Sequence, residues 1–389
     1  MHHYPQVIHR LLKPSLIGSF IAIIAFAACS SKDSPTDATP IESNNRLSES
    51  ETPPESSLAS NAQQSEESRE EELSLRRYPP APDLPPAPDA IRIAVISDIN
   101  SSYGTIGYSP IVKAAVNDIL RRQTHIVVSP GDLVAGQKAG LPYAQMWRAF
   151  HYEIGDVFFD NNIEFIMAPG NHDASGYPQH EAERRAYRDA FQDRLPRAEL
   201  LKGSHFPFYY GVLTHDILII ALDITRPLRD DDPQLTWLEE VLENARHARA
   251  TLVLGHLPLA PINMRQFFDT ARSERLLSLL QKTPRTIYIS GHHHIFYPGH
   301  IGELRTIASP ALGSGPRSLF GSTPVNGYVQ ITLPPDSPPT VTALVAPNFK
   351  RMIDLQKLPK QILQTQREDI GMAEYILENL DRSVRPSTL

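Results

Sequence analysis

Nine side chains able to bind a cation or move a proton fall in five short segments of this chain. They are Asp98 and Asn100 in Ser97-Asp98-Ile99-Asn100, Asp132 in Ser129-Pro130-Gly131-Asp132, and Asn171, His172 and Asp173 in Pro169-Gly170-Asn171-His172-Asp173. His256 follows in Gly255-His256, and His292 and His294 in Gly291-His292-His293-His294. Imidazoles, carboxylates and amide oxygens together suit divalent ions such as Mn, Fe, Zn or Ni. A carboxylate shared by two ions about 3.5–4 Å apart would let the pair lower the pKa of a water and stabilise both the entering and leaving oxygens of a phosphoryl displacement. Each residue alone is ordinary, since an Asp after a strand usually caps a turn and a His run is usually surface. The order and company of the five segments are what point to a site.

Apolar patterning gives a reason for them to meet. Ile91–Ser97, His125–Ser129, Ile163–Ala168, Thr251–Leu254 and Thr286–Ser290 are predicted strands, and each is followed by one of the five segments. Helices are predicted over Pro110–Arg122, with Ser109 as cap and Pro110 in the first turn, and over Tyr143–Asp160, Pro178–Leu195, Gln234–Arg249 and Gln266–Gln281. Phe206–Tyr210 and Ile217–Leu222 read as strands paired around a turn at His215-Asp216. Shorter β segments lie near Leu304–Ala308, Tyr328–Leu333 and Thr340–Leu344, and Leu358–Leu380 reads as a closing helix. The alternation defines an α/β chain. In open α/β sheets sites assemble at the carboxyl ends of strands, where glycine lets the backbone approach a ligand closely.

In this order the segments resemble the calcineurin-like metallophosphoesterase superfamily, over residues from about 91 to 345. The resemblance implies an α/β (α+β) fold, a two-sheet β-sandwich flanked by helices. It also implies a metal-dependent phosphoester hydrolase in which metal-activated hydroxide attacks phosphorus at a dinuclear centre. Carried over position by position, it implies that Asp98, Asp132 and His294 hold one divalent ion, with Asp132 bridging, and that Asn171, His256 and His292 hold the second. His172 would be the general acid, and Asp173 either its orienting partner or a structural cap. The superfamily usually has histidine where this chain has Asn100. An amide oxygen is a weaker, harder donor, so the first site is expected to be weakened and biased toward Mg or Mn. That departure motivates the alternative reading, a non-catalytic surface protein that keeps the fold as a metal- or phosphate-binding module.

Around these residues, Ser101, Ser102, Tyr103 and Gly104 are candidates to line a substrate pocket, and Arg317 is a candidate phosphate clamp because guanidinium pairs well with phosphate oxygens. His293 should point away from the cations, since neighbouring residues of an extended segment face opposite sides. Asp223 reads as a cap. His125, His151, His205, His215 and His300 have no motif context and read as packing or surface residues.

The N-terminal quarter differs in kind. Arg10 and Lys13 precede an apolar run, Leu16 to Ala28, that ends in Phe26-Ala27-Ala28-Cys29. Basic, apolar and small residues in that order make an export signal over residues 1–29, and the run is too short to span a bilayer, which needs about 20 residues. Cys29 is the sole cysteine, so no intrachain disulfide is possible, and the segment resembles the lipobox of bacterial lipoproteins. The resemblance implies cleavage before Cys29, lipidation of its side chain and attachment to the bacterial membrane. Ser30 after it implies the outer membrane. Residues 30–90 hold thirteen Asp/Glu against five Lys/Arg and then a proline run from Pro79, so they are expected to form a disordered acidic and Pro-rich linker. The expected domain spans 91–346, with a helical extension over 347–389. From residue 91 onward the chain is nearly neutral, with no long basic run, and gives no electrostatic reason to bind nucleic acid.

Overall fold

The computed structural model describes residues 74–82, 89–244, 247–262, 269–317, 324–335, 337–358 and 385–386. The signal segment, Cys29 and most of the predicted Leu358–Leu380 helix lie outside the described residues. Among the described residues no helix is long and apolar enough to cross a membrane.

In chain order the strands are β1 (Ile91–Val95), β2 (Ile126–Ser129), β3 (Glu164–Met167), β4 (Tyr210–Thr214), β5 (Ile217–Ala221), β6 (Ala250–Leu254) and β7 (Thr286–Ser290). They continue with β8 (Tyr297–Ile301), β9 (Leu304–Ala308), β10 (Gly327–Leu333), β11 (Thr340–Val345), β12 (Arg351–Met352) and β13 (Arg385–Pro386). They form two mixed sheets, ordered β12-β11-β10-β1-β2-β3 and β13-β8-β9-β7-β6-β5-β4. In the first, β1, β2 and β3 run parallel; in the second, β5, β6, β7 and β9 do.

Alternation along each strand builds the layers. Ile93 and Val95 of β1 enter a core between the sheets together with Ile126, Val128, Ile219, Leu252, Ile287 and Ile289. Ala94 and Ile96 face the opposite way, against α1 (Pro110–Arg121) and α2 (Tyr143–Phe150) through Ile119, Trp147 and Phe150. The second sheet turns Leu218, Ile220, Val253 and Tyr288 outward onto Leu235, Leu238, Leu276 and Leu280 of two further helices. Strands buried on both faces read as unbroken apolar runs. The result is the expected two-sheet sandwich flanked by helices. Each fully buried aliphatic or aromatic side chain contributes about 1.5–3 kcal/mol, which fixes the positions of the strand ends.

Local details differ from the sequence reading for identifiable reasons. The hairpin strand is Tyr210–Thr214, not Phe206–Tyr210: His215 and Asp216, at φ 50° and 59°, form the tight turn, and register counts back from it. The helix predicted from Gln266 is seen from Glu274, because the Ser273 hydroxyl accepts the Leu276 N–H and caps it there; residues 269–273 are irregular. Tyr143–Asp160 is helical throughout but loosens into a π turn at His151–Gly155. The predicted Pro178–Leu195 helix runs over Glu181–Phe191 after a short 3-10 turn. The strand Tyr297–Ile301 has no counterpart in the apolar patterning. The domain also extends past 346, since β12 pairs with β11, and the proline run expected as free linker starts ordered: Ala81 N–H donates to Lys350 O at 2.8 Å.

Candidate metal centre

The parallel strands of both sheets end at one rim. Asp98 follows β1, Asp132 follows β2, Asn171–Asp173 follow β3, His256 follows β6, and His292 and His294 follow β7. Four of these residues, Asp98, Asp132, His292 and His294, adopt left-handed backbone, with φ of 50°, 59°, 63° and 56°. Such a conformation costs a non-glycine residue on the order of 1–3 kcal/mol. It turns the chain back sharply at the strand end, so side chains from neighbouring strands aim at one point.

Close backbone approach needs glycine at Gly170 and Gly291, among other positions. A Cβ on Gly170 would stand 2.1 Å from both Asp132 N and Oδ1, and one on Gly291 would stand 2.6 Å from Asp98 Oδ2.

At the convergence, His256 Nε2 lies 2.8 Å from Asn171 Oδ1, His292 Nδ1 lies 2.9 Å from the same oxygen, and the two ring nitrogens are 3.2 Å apart. Asp132 Oδ1 is 3.4 Å from His256 Nε2. On the other side, His294 Nε2 is 3.1 Å from Asp98 Oδ1. Asp98, Asp132 and His256 offer ligand atoms all within 4.8 Å of one another. Ligand atoms held in octahedral array at about 2.1 Å from an ion sit about 3.0 Å apart, so these separations and this donor set fit a divalent cation.

The rings are oriented from behind. His256 Nδ1–H donates to Pro130 O at 3.0 Å and His294 Nδ1–H to Gly315 O at 2.7 Å, leaving each Nε2 to face the carboxylates. His292 Nε2 points toward the Asp269 carboxylate, 3.7 Å away.

Electrostatics follow from these pairs. Burial lowers the pKa of His256, but Asp132 and then Asp98 outweigh it and lift it to about 9. Burial likewise opposes, and Asp98 reverses, the shift at His294, which is raised. Burial would raise both carboxylates, yet His294 pulls Asp98 down and His256 pulls Asp132 down. His292, shielded from solvent and beside His256, is lowered.

Beside the cluster, an open cavity of about 440 Å³ is lined by Asn100, Ser101, Ser102, Tyr103, His172, His294 and the Gly313–Gly315 turn. His172 Nδ1–H donates to Gly136 O at 3.1 Å, its ring lies 5.3 Å from that of Tyr103, and its Nε2 is 3.9 Å from Asp132 Oδ2. Its backbone N–H donates to Asp132 Oδ1 at 2.8 Å.

Residues 91–296 match the family model for calcineurin-like phosphoesterases. The chain belongs to that family. Among solved structures, a purple acid phosphatase from yellow lupin (Lupinus luteus) superposes with a TM-score of 0.54 at 16% identity, over 70% of this chain and 54% of the lupin chain. A dimetal phosphatase from Danio rerio gives a TM-score of 0.45 at 15% identity, over 65% of this chain and 95% of that one. At such identities the likeness speaks for the fold alone, and the present chain spans about half of the lupin enzyme. Comparison with curated proteins finds no match.

Within this family member several residues make contacts that their sequence context left open or did not announce. Asp173 does not reach the His172 ring. Its carboxylate accepts the N–H groups of Leu133 at 2.8 Å, Val134 at 2.9 Å and Gly170 at 2.9 Å, so it ties the loop after β2 to the loop after β3. The Asn100 amide oxygen, expected at the first cation, accepts the Ser314 hydroxyl. Arg317 Nη1 donates to His292 O at 3.0 Å and braces the His292–His294 loop. Gly104 packs on Leu141 and is not among the cavity-lining residues. Asp223 pairs with Arg184 at 2.6 Å. His293 is buried with Nε2 on Asp269 O at 3.2 Å, and burial pushes its pKa down to about 3. Gln137 and Asp269 escape the sequence reading. Neither sits at a strand end in a motif, although Gln137 follows Gly136 only a few residues beyond Asp132.

Proposed function

We propose that the protein is a metal-dependent phosphoester hydrolase with two divalent ions. The observation that carries the reading is the approach of Asn171 Oδ1, His256 Nε2 and His292 Nδ1 to within 2.8–3.2 Å of one another, beside Asp132 and His172. Asp98, Asp132 and His294 would hold one ion and Asp132, Asn171, His256 and His292 the other. When bound, such a pair neutralises phosphoryl charge and lowers the pKa of water.

The remaining roles fall to the chain itself. The open cavity next to the cluster admits the ester, with Ser101 and Ser102 at its wall. Because Gly136 O holds the Nδ1 proton of His172, the proton available to a leaving oxygen is the one on Nε2, at the cavity edge. This geometry supports His172 as the general acid, a role worth about 10²–10⁴ in rate. Hydrolysis of an aryl phosphate and a bis-aryl phosphate, in a series of divalent metals, tests the proposal. Activity should vanish with chelator and with Asp132→Asn; no turnover in any metal would overturn it.

The engagement of the Asn100 amide by Ser314 favours a second reading, a binding module with one impaired cation site. Separately, the basic residues, apolar run and Ala27-Ala28-Cys29 support export and lipid attachment at Cys29, to the outer membrane. Two or more acyl chains suffice for stable anchoring. Detergent partitioning that Cys29→Ser abolishes would support this, and an unchanged distribution would count against it.

A further inference from the structure

Gln137 holds a backbone conformation that its residue type disfavours. Its φ is 68°, in the left-handed region, where glycine or asparagine is the usual occupant and a longer side chain adds strain. Strain of this kind persists where the surrounding structure enforces it, and the side chain of Gln137 shows what it serves. Asn171 Nδ2 donates to Gln137 Oε1 at 3.0 Å. An amide has a donor end and an acceptor end. Fixing the NH₂ end on Gln137 forces the oxygen to face His256 and His292, where a cation needs an acceptor and would be repelled by a donor.

The same loop serves His172. Gly136 O takes the Nδ1 proton of His172, and the loop is pinned from outside by Tyr143, whose hydroxyl donates to Lys138 O at 2.9 Å and accepts Lys138 N–H at 3.2 Å. A Cβ on Gly136 would stand 2.7 Å from the Tyr143 ring and 2.1 Å from His172 O, so the loop is wedged between the two.

We infer that Gln137 is a positioning residue that sets the amide orientation of Asn171 for cation binding, at the expense of local backbone strain. The inference rests on the metal-dependent reading above and sharpens it. It makes stability and cation affinity move in opposite directions, which a purely structural role would not do.

The test uses the purified full chain and manganese titrated by calorimetry, with thermal unfolding of the chelator-treated protein alongside. Gln137→Gly should unfold at the same or a higher temperature without metal, yet bind manganese at the Asn171 subsite about tenfold or more weakly. Gln137→Glu, which keeps an acceptor for Asn171 Nδ2, should retain most of the affinity. Tyr143→Phe should weaken binding in the same sense through the loop. Unchanged manganese affinity in Gln137→Gly, or a fall in stability matching the fall in affinity, overturns the inference. If wild-type protein binds no divalent metal at all, the hydrolase reading fails with it; if wild type binds and the variants match it, only the role of Gln137 fails.

Discussion

Asp98 Oδ1 and His294 Nε2 stand 3.1 Å apart although Asp98 hangs from the first sheet and His294 from the second. Asp132 and His256 repeat the relationship, at 3.4 Å. The candidate site is therefore a seam between two sheets, and its charge pairs hold the rims together when no cation does.

This arrangement sets cation against proton. His256 titrates near 9 in the folded, metal-free chain, above the roughly 6.5 of an unfolded histidine. Its ion pair with Asp132 thus stabilises the metal-free fold fully below about pH 6.5, and the contribution is lost as pH rises through 9. A cation must displace that proton, so apparent affinity should climb from pH 6.5 to 9 with protons released on binding. Calorimetry in buffers of different ionisation enthalpy reads the release. Binding that is flat over this range and releases no protons would show that His256 is not a ligand.

Asp173 and His172 are neighbours with opposite expected phenotypes. Removing the Asp173 carboxylate strands three buried N–H groups, each costing about 1–3 kcal/mol, so Asp173→Ala should destabilise by at least about 3 kcal/mol. His172 lies at the cavity edge with its side chain 24% exposed, and His172→Ala should cost under about 1 kcal/mol while lowering turnover by 10²-fold or more. Urea unfolding beside initial rates separates the two. Equal stability losses would mean that His172 is as structural as Asp173.

Asn100→His addresses the weaker half of the seam. An imidazole in place of an amide already engaged by Ser314 should raise affinity at the Asp98–His294 side by about tenfold and turnover with it. Metal stoichiometry by elemental analysis, paired with rates, is the measurement. Tighter binding without any gain in turnover would favour the binding-module reading.

What could be read from sequence followed chemistry that is local. Strand ends that each deliver a ligand-type residue gave the rim, and two-faced apolar runs gave the sandwich. What escaped depended on partners distant in sequence. Nothing adjacent to Asp173 says that Leu133 and Val134 will present N–H groups to it, and nothing near Asn100 announces Ser314. The aromatic run Phe206–Tyr210 has strand composition, but the His215-Asp216 turn fixes the hairpin strand four residues further on. Tyr297–Ile301 is interrupted by Pro298 and Gly299, residues that weaken any strand pattern, and its partners, β9 on one side and β13 on the other, are not announced by its own composition.

His151 gives a prediction that leaves the metal centre aside. It sits in the π turn, Nε2–H donating to Ala190 O at 2.9 Å, with Phe150 and Phe191 around it. Burial first, and Arg194 next, depress its pKa to about 4. Folding is therefore opposed by protonation: the neutral ring's contribution is complete above about pH 6.5 and is lost as pH falls toward 4. The part due to His151 should be on the order of 1–2 kcal/mol, less than the shift alone implies because solvent reaches the ring in part. Urea unfolding of chelator-treated protein at pH 7.5 and pH 4.5 measures it. His151→Gln, which keeps a donor for Ala190 O but cannot take up a proton in this range, should narrow the gap between the two pH values by that amount. An identical gap in wild type and variant would assign the acid sensitivity to other groups.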